Sequence, residues 1–227
     1  SPATFNPNPK TMSRLGNAKL YFPIGVPFEK IWLSRIQAIQ PNLKIVPLSF
    51  SNPKRKSLDI ENHLDEEEDA HTWTSPQNAK IIASSIEAAL SKEKPEKKSI
   101  FQKNYNALIQ DLDSLDQEIH DILAIRKNNN FMVFHPAWSY FAKAYGLKQI
   151  SIEQNGKEPG PRSLMKIIEK GKNLKIKVIF VQKQFGLSIA KKVAKMLGAT
   201  VQELDPLAEN YFENMRRTAI AIAGASH

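Results

Sequence analysis

From Phe131 onward, short apolar runs and helix-spaced segments alternate four times, and this pattern leaves few folds open. Strands are expected at 131–134, 149–152, 176–181 and 200–204, with helices beginning near Ala137, Arg162, Leu187 and Ala208. Strands that alternate with helices form a parallel sheet covered on both faces. In such sheets ligands bind outside the carboxyl ends of the strands. Two residues with useful chemistry stand there: His135, where Pro136 stops the first run, and Asp205, between the last run and Pro206. They are far apart in sequence, yet a parallel sheet brings both out at the same edge.

The part of the chain before Phe131 also reads as α/β. Residues 18–22 and 44–48 are strand-like, and 27–39 carry Phe28, Ile31, Trp32 and Ile36 at helical spacing. A loop is expected over 52–69. Its second half, 59–69, holds seven acids and His63 in eleven residues, a composition that cannot bury itself cheaply. His71 closes this loop, and Ser75 is placed to cap a helix that starts with Pro76 and runs to about residue 90. After the Pro95 break a long helix is expected over 96–126. Its apolar residues Phe101, Tyr105, Leu108, Leu112, Leu115, Ile119 and Ile122 recur at steps of four and three, so one face should pack along its length. About thirty residues at about 1.5 Å each span roughly 45 Å, which suits a connector lying along two domains. The expected organisation is an N-terminal α/β lobe over 1–95, a connecting helix over 96–130 and a C-terminal α/β lobe over 131–227.

There is no Cys, so disulfides, thiolate catalysis and Cys-based zinc sites drop out together. Any metal must be held by His, Asp or Glu. The formal charge of +9 raises nucleic acid as a partner, but the lysines are spread over several segments without an Arg-rich or aromatic-interleaved stripe. Solvated surface charge is the expectation, with no nucleic-acid partner. No segment is apolar for the eighteen or so residues of a membrane span, and the first residues resemble no signal peptide. The chain lacks an initiator Met, so it is expected to begin inside a longer precursor, and the missing signal says nothing about export.

Two imidazoles and a carboxylate are ligand types that zinc accepts in tetrahedral sites. His71, His135 and Asp205 supply that set, although a His at an element's end is also an ordinary hydrogen-bonded residue and Asp-Pro is ordinary turn chemistry. The residues alone leave both readings open. His63, with Asp65, Glu66, Glu67, Glu68 and Asp69 around it, offers a looser place for a divalent cation, drawn by the local negative potential; the alternative is a solvated loop. His120 falls inside the long helix and reads as surface. His227 is the last residue. There is no His-Glu-x-x-His helix, nucleophile elbow, Walker loop or dinucleotide fingerprint. A zinc-dependent hydrolase with an open metal position is the alternative function.

Five segments in order carry a resemblance: Asn8-Pro-Lys-Thr-Met12, Ala70-His-Thr-Trp-Thr-Ser-Pro-Gln-Asn-Ala79, Phe134-His-Pro-Ala-Trp-Ser-Tyr-Phe141, Glu158-Pro-Gly-Pro-Arg162 and Leu204-Asp-Pro-Leu207. Together they resemble the zinc and manganese substrate-binding proteins of bacterial ABC importers, and the resemblance covers essentially the whole chain. It implies two α/β lobes joined by a long rigid helix, with the metal between them. It also implies a periplasmic or lipid-anchored extracytoplasmic receptor, a monomer rather than an enzyme, whose partners are a transition-metal ion and a membrane permease.

By the same resemblance, His71 and His135 fall on two metal-ligand positions and Asp205 on the carboxylate position. Manganese-preferring members tend to carry Glu where this chain has His135, so zinc is the expected ion and manganese the alternative; a softer, imidazole-rich site agrees. The loop before His71 is similar to the metal-gathering loop of zinc members, with His63 as its histidine. Two departures stand out. The first strand, helix and strand of the family have no counterpart here, so the N-terminal lobe is expected to be incomplete. The family's first ligand is a His in a Pro-His-Thr-Tyr-like segment, and here the run is Pro2-Ala3-Thr4-Phe5.

Overall fold

A computed structural model describes residues 8–48, 69–153, 157–183 and 187–225. The chain divides into two compact units. One comprises Ser1–Thr72 and Asn78–Gln110, the other Trp73–Gln77 and Asp111–His227. Much of the loop expected over 52–69, with His63, lies outside the described residues, as do Ala3 and His227.

The first unit opens with α1 (Pro9–Leu15), a helix that the periodicity did not predict. Its start is nonetheless written locally: Asn8 Oδ1 accepts from Thr11 N at 2.8 Å, and proline stands in the first turn, where no N–H is missed. Next come β1 (Leu20–Tyr21), α2 (Pro27–Ile39) and β2 (Lys44–Ile45), with the two strands parallel and Leu20 paired with Lys44. Both strands are shorter than the runs 18–22 and 44–48 suggest. The turn into α2 is organised by Glu29, 6% exposed, whose carboxylate accepts from the backbone N–H groups of Ile24, Gly25 and Val26 and from the Tyr21 hydroxyl. Gly25 sits at φ +86°, where a side chain would be strained. Burial and the neighbouring carboxylate together push the Tyr21 phenol well above its ordinary pKa.

A 3-10 turn (Thr72–Thr74) leads into α3 (Pro76–Glu93), and after a second such turn (Pro95–Lys97) α4 runs from Lys98 to Ala124. α4 gives its residues through Gln110 to the first unit and those from Asp111 to the second. The expected apolar stripe is buried only in its second half, at Leu112, Leu115, Ile119 and Leu123, whereas Leu108 is 37% exposed. Leu123 replaces Ile122 in the buried row because a straight helix turns 3.6 residues per turn, and a 4-3 stripe drifts around it.

The second unit holds β3 (Asn130–Val133), α5 (Ser139–Ala144), β4 (Lys148–Ser151), α6 (Pro161–Asn173), β5 (Val178–Val181), α7 (Leu187–Leu197), β6 (Thr200–Glu203) and α8 (Tyr211–Gly224). All four strands are parallel, in the order β4-β3-β5-β6. The alternation legible in the sequence is therefore the architecture of this unit. Helices start later than expected in two places. α5 begins at Ser139 rather than Ala137, and α8 at Tyr211, where Asn210 Oδ1 caps Glu213 N at 3.3 Å.

One sheet face carries Met132, Phe134, Ile150, Ile152, Ile179 and Val181, which form a core with Ile167 and Ile168 of α6 and Ala190, Val193 and Ala194 of α7. Gly171 of α6 lets Leu197 and Met132 come close, since a Cβ there would meet Leu197 Cδ1 at 2.9 Å. By strand alternation the opposite face carries Phe131, Val133 and Phe180. The rings of Phe131 and Phe180 meet edge to face at 6.5 Å. Tyr145, just after α5, donates its hydroxyl to Asp116 of α4 at 2.7 Å, and its phenol is raised by burial and by that carboxylate.

Candidate metal centre

The strand order places a reversal in the second unit. The chain leaves β3 for β4 on one side and later returns past β3 to β5 on the other, so the crevice at a switch of direction lies between the carboxyl ends of β3 and β5. His135 is two residues beyond β3. The ladder persists past the strand's end: Phe134 N donates to Phe180 O at 2.8 Å and Glu153 N to Phe134 O at 2.9 Å. Because Val133 pairs with Ser151, the residues two further on, His135 and Glu153, emerge on one face. Their side chains meet, with His135 Nδ1 2.9 Å from Glu153 Oε2 and the two side chains 13% and 5% exposed. A carboxylate acceptor at Nδ1 selects the tautomer that carries its proton there, which leaves the lone pair on Nε2.

His71 is built the same way from local parts. Its Nδ1 lies 2.7 Å from Asp69 Oδ1, which also accepts the His71 backbone N–H at 2.9 Å. The 3-10 turn that follows is tied down by Asn78 Nδ2, which donates to Thr72 O at 3.1 Å. Here too the proton belongs on Nδ1 and the lone pair on Nε2. Asp69, read from the sequence as one more acid of the loop, is the orienting partner of a histidine.

Asp205 follows β6, whose pairing continues through Leu204 N to Val181 O at 2.9 Å. Its Oδ1 accepts from Leu207 N at 2.9 Å, closing a turn, and its backbone carbonyl accepts from Asn214 Nδ2 at 2.7 Å. The next residue, Pro206, is a fastening point: Trp73 Nε1 donates to its carbonyl at 2.8 Å, and the Tyr211 hydroxyl donates to Trp73 O at 2.9 Å. Trp73 stands two residues after His71 in the chain. His120 is exposed on α4, its ring edge-on to Tyr145 at 4.9 Å. Among the described residues, no group of three or more His, Asp or Glu side chains is gathered as a metal-holding cluster. What each unit shows by itself is a histidine held by a carboxylate.

Sequence reasoning missed Glu153 and the role of Asp69. A signal was present. At all four strand ends of the second unit an apolar residue is followed by a polar one: Phe134-His135, Ile152-Glu153, Val181-Gln182 and Leu204-Asp205. Only His135 and Asp205 stand out as ligand types, because Glu and Gln at a strand end look like ordinary surface.

Comparison with known proteins gives a consistent result. The family model described as zinc-uptake complex component A, periplasmic (ZnuA), matches residues 1–225. A putative metal-binding protein of Chlamydia trachomatis is 29% identical over 225 residues, which is 98% of this chain and 79% of that protein. The high-affinity zinc uptake system protein ZnuA of Brucella abortus is 35% identical over 144 residues, 62% of this chain and 43% of its own length. A crystal structure of ZnuA matches with a TM-score of 0.89 at 33% identity, covering 100% of this chain and 87% of that one. With the family match extending along nearly the whole chain and the fold agreeing with it, this chain belongs to the ZnuA family, whose members are solute-binding receptors and not enzymes.

Proposed function

We propose that the protein is an extracytoplasmic receptor that captures zinc and delivers it to the membrane permease of an ABC importer. His71 and His135 bind through Nε2 and Asp205 through its carboxylate. The observation that carries this reading is the matched pair of histidines whose Nδ1 atoms are held by Asp69 and Glu153, the arrangement that orients an imidazole for a metal and raises its basicity. Relatives named for high-affinity zinc uptake, and a ZnuA structure described with zinc bound, support the choice of ion. Donor chemistry agrees: two imidazoles and one carboxylate suit zinc better than manganese, which prefers oxygen. A water completes the four positions that zinc prefers, since the sequence reads Ala3 in the segment where the family has its first His ligand. His63 and the acidic stretch 59–69 gather the ion weakly ahead of the fixed site.

Capture and release, with no bond made or broken in a substrate, is the whole mechanism, and a monomer suffices for it. Calorimetric titration with zinc and with manganese tests it. The wild type is expected to bind zinc tightly and manganese more weakly, and His135→Ala to lose the tight phase. Unchanged tight binding in His135→Ala would sink the assignment of that residue.

A further inference from the structure

Gln182 stands at a strand end of the second unit and carries a buried amide that its own fold leaves unexplained. It follows β5 directly, is 6% exposed, and its side-chain Nε2 is buried with no hydrogen-bond partner among the described residues. An amide donor removed from water and left without an acceptor is a standing cost to the folded state, and native proteins keep few of them. Its position explains why this one is kept. Val133 pairs with Phe180, so His135 and Gln182, each two residues further on, come out level on neighbouring strands. Alternation puts both on the face opposite the core formed with α6 and α7. They flank the crevice where the strand order reverses, with Glu153 on the far side of His135.

We propose that Gln182 is a positioning residue of the metal site: its Nε2–H donates to a water bound to the zinc ion that His135 holds. This rests on the zinc reading above. Neighbouring strands stand about 4.8 Å apart, and a zinc ion sits about 2.0 Å from an imidazole nitrogen, so a metal-bound oxygen falls within reach of a glutamine on the next strand. The division of labour along the sheet edge is then clear. Glu153 accepts from the ligand's far nitrogen, His135 binds the ion, and Gln182 donates to the oxygen that fills a position no side chain takes. An amide suits this task because it holds the water without adding a charge. On loading, the zinc-bound water supplies the acceptor that this buried donor lacks among the described residues.

The test compares Gln182→Met, which keeps size and removes the donor, with the wild type in the full chain. Two quantities are read: the melting temperature without metal, and zinc affinity by competition with a chromophoric chelator. The expected result is a metal-free melting temperature equal to or above that of the wild type, with zinc affinity lower by about tenfold to a hundredfold, the usual effect of losing a group behind the ligands. Cobalt(II) loading adds a spectroscopic readout, because a changed oxygen ligand shifts the visible bands while the histidines remain. Unchanged zinc affinity and unchanged cobalt bands would overturn the proposal, as would a lower melting temperature at unchanged affinity, which marks a structural role. Gln182→Leu serves the same comparison if the methionine variant does not fold. The two failures are distinguishable: a wild type that binds no zinc overturns the zinc reading, whereas a wild type that binds zinc no better than Gln182→Met overturns only the role of Gln182.

Discussion

His71 and His135 present the same chemistry from opposite kinds of structure. The carboxylate of His71 is two residues away, and the same oxygen accepts both the ring and the backbone N–H of that histidine. The carboxylate of His135 is eighteen residues away and arrives only through the register of β3 against β4. A pair within a turn needs little but the turn. A pair across a sheet needs the whole sheet, so its geometry is as firm as the core beneath it, and disturbing it should disturb the fold. On this comparison one proposed ligand is set locally and the other globally, a contrast that substitution can break or sharpen.

The largest effects should come from the two proposed ligands. His71→Ala and His135→Ala are each expected to weaken zinc binding by about a hundredfold or more, beyond the usual loss for a group behind the ligands, as read by chelator competition. Equal losses would mean that local and global construction deliver equally good ligands. A milder loss in His71→Ala would mean that the sheet-borne histidine dominates.

The supporting carboxylates come next and separate the two cases most clearly. Asp69→Ala and Glu153→Ala should each cost about tenfold to a hundredfold in zinc affinity. Only Glu153→Ala should also alter the stability of the metal-free protein, because Glu153 is 4% exposed at a sheet edge. Calorimetric melting without zinc checks this, and equal melting temperatures for the two variants would refute the contrast.

Smaller effects are expected where the chain after His71 is fastened. Trp73→Phe removes the indole N–H from the Pro206 carbonyl and Tyr211→Phe removes the hydroxyl from the Trp73 carbonyl. Each should cost about 1 kcal/mol of stability, the net value of one hydrogen bond, measured by chemical denaturation. Zinc affinity should fall more in Trp73→Phe, because that bond is made to the residue directly after Asp205. The smallest effect belongs to His120→Ala. This exposed histidine of α4 should leave zinc binding unchanged and stability within about 0.5 kcal/mol, as surface substitutions do.

Much of this was legible beforehand, for reasons that differ along the chain. In the second unit the alternation of strand and helix periods is enough to give a parallel sheet, and the proline after His135 and after Asp205 marks where two strands end. In the first unit the strands proved only two residues long, and α1 went unnoticed, because its seven residues are too few for periodicity to register. Its capping residue and proline were the better evidence. The histidines were visible as candidates, but the choice between ligand and structural residue rests on what stands behind the ring. For His71 that partner was in plain sight as Asp69 and was misread as part of an acidic run.

Residue order, through periodicity and the chemistry of strand ends, is sufficient for the α/β class, the parallel sheet and the positions of His71, His135 and Asp205. It is also sufficient for the family, because ordered motifs along the whole chain are specific where single motifs are not. The strand order β4-β3-β5-β6, and with it the pairing of His135 with Glu153 and its neighbour Gln182, belongs to the folded state. Local pattern reports which residues face which side of a strand. Which strand lies next to which is settled by how helices and loops pack the whole sheet, and that sum over distant contacts is written in no single stretch of sequence.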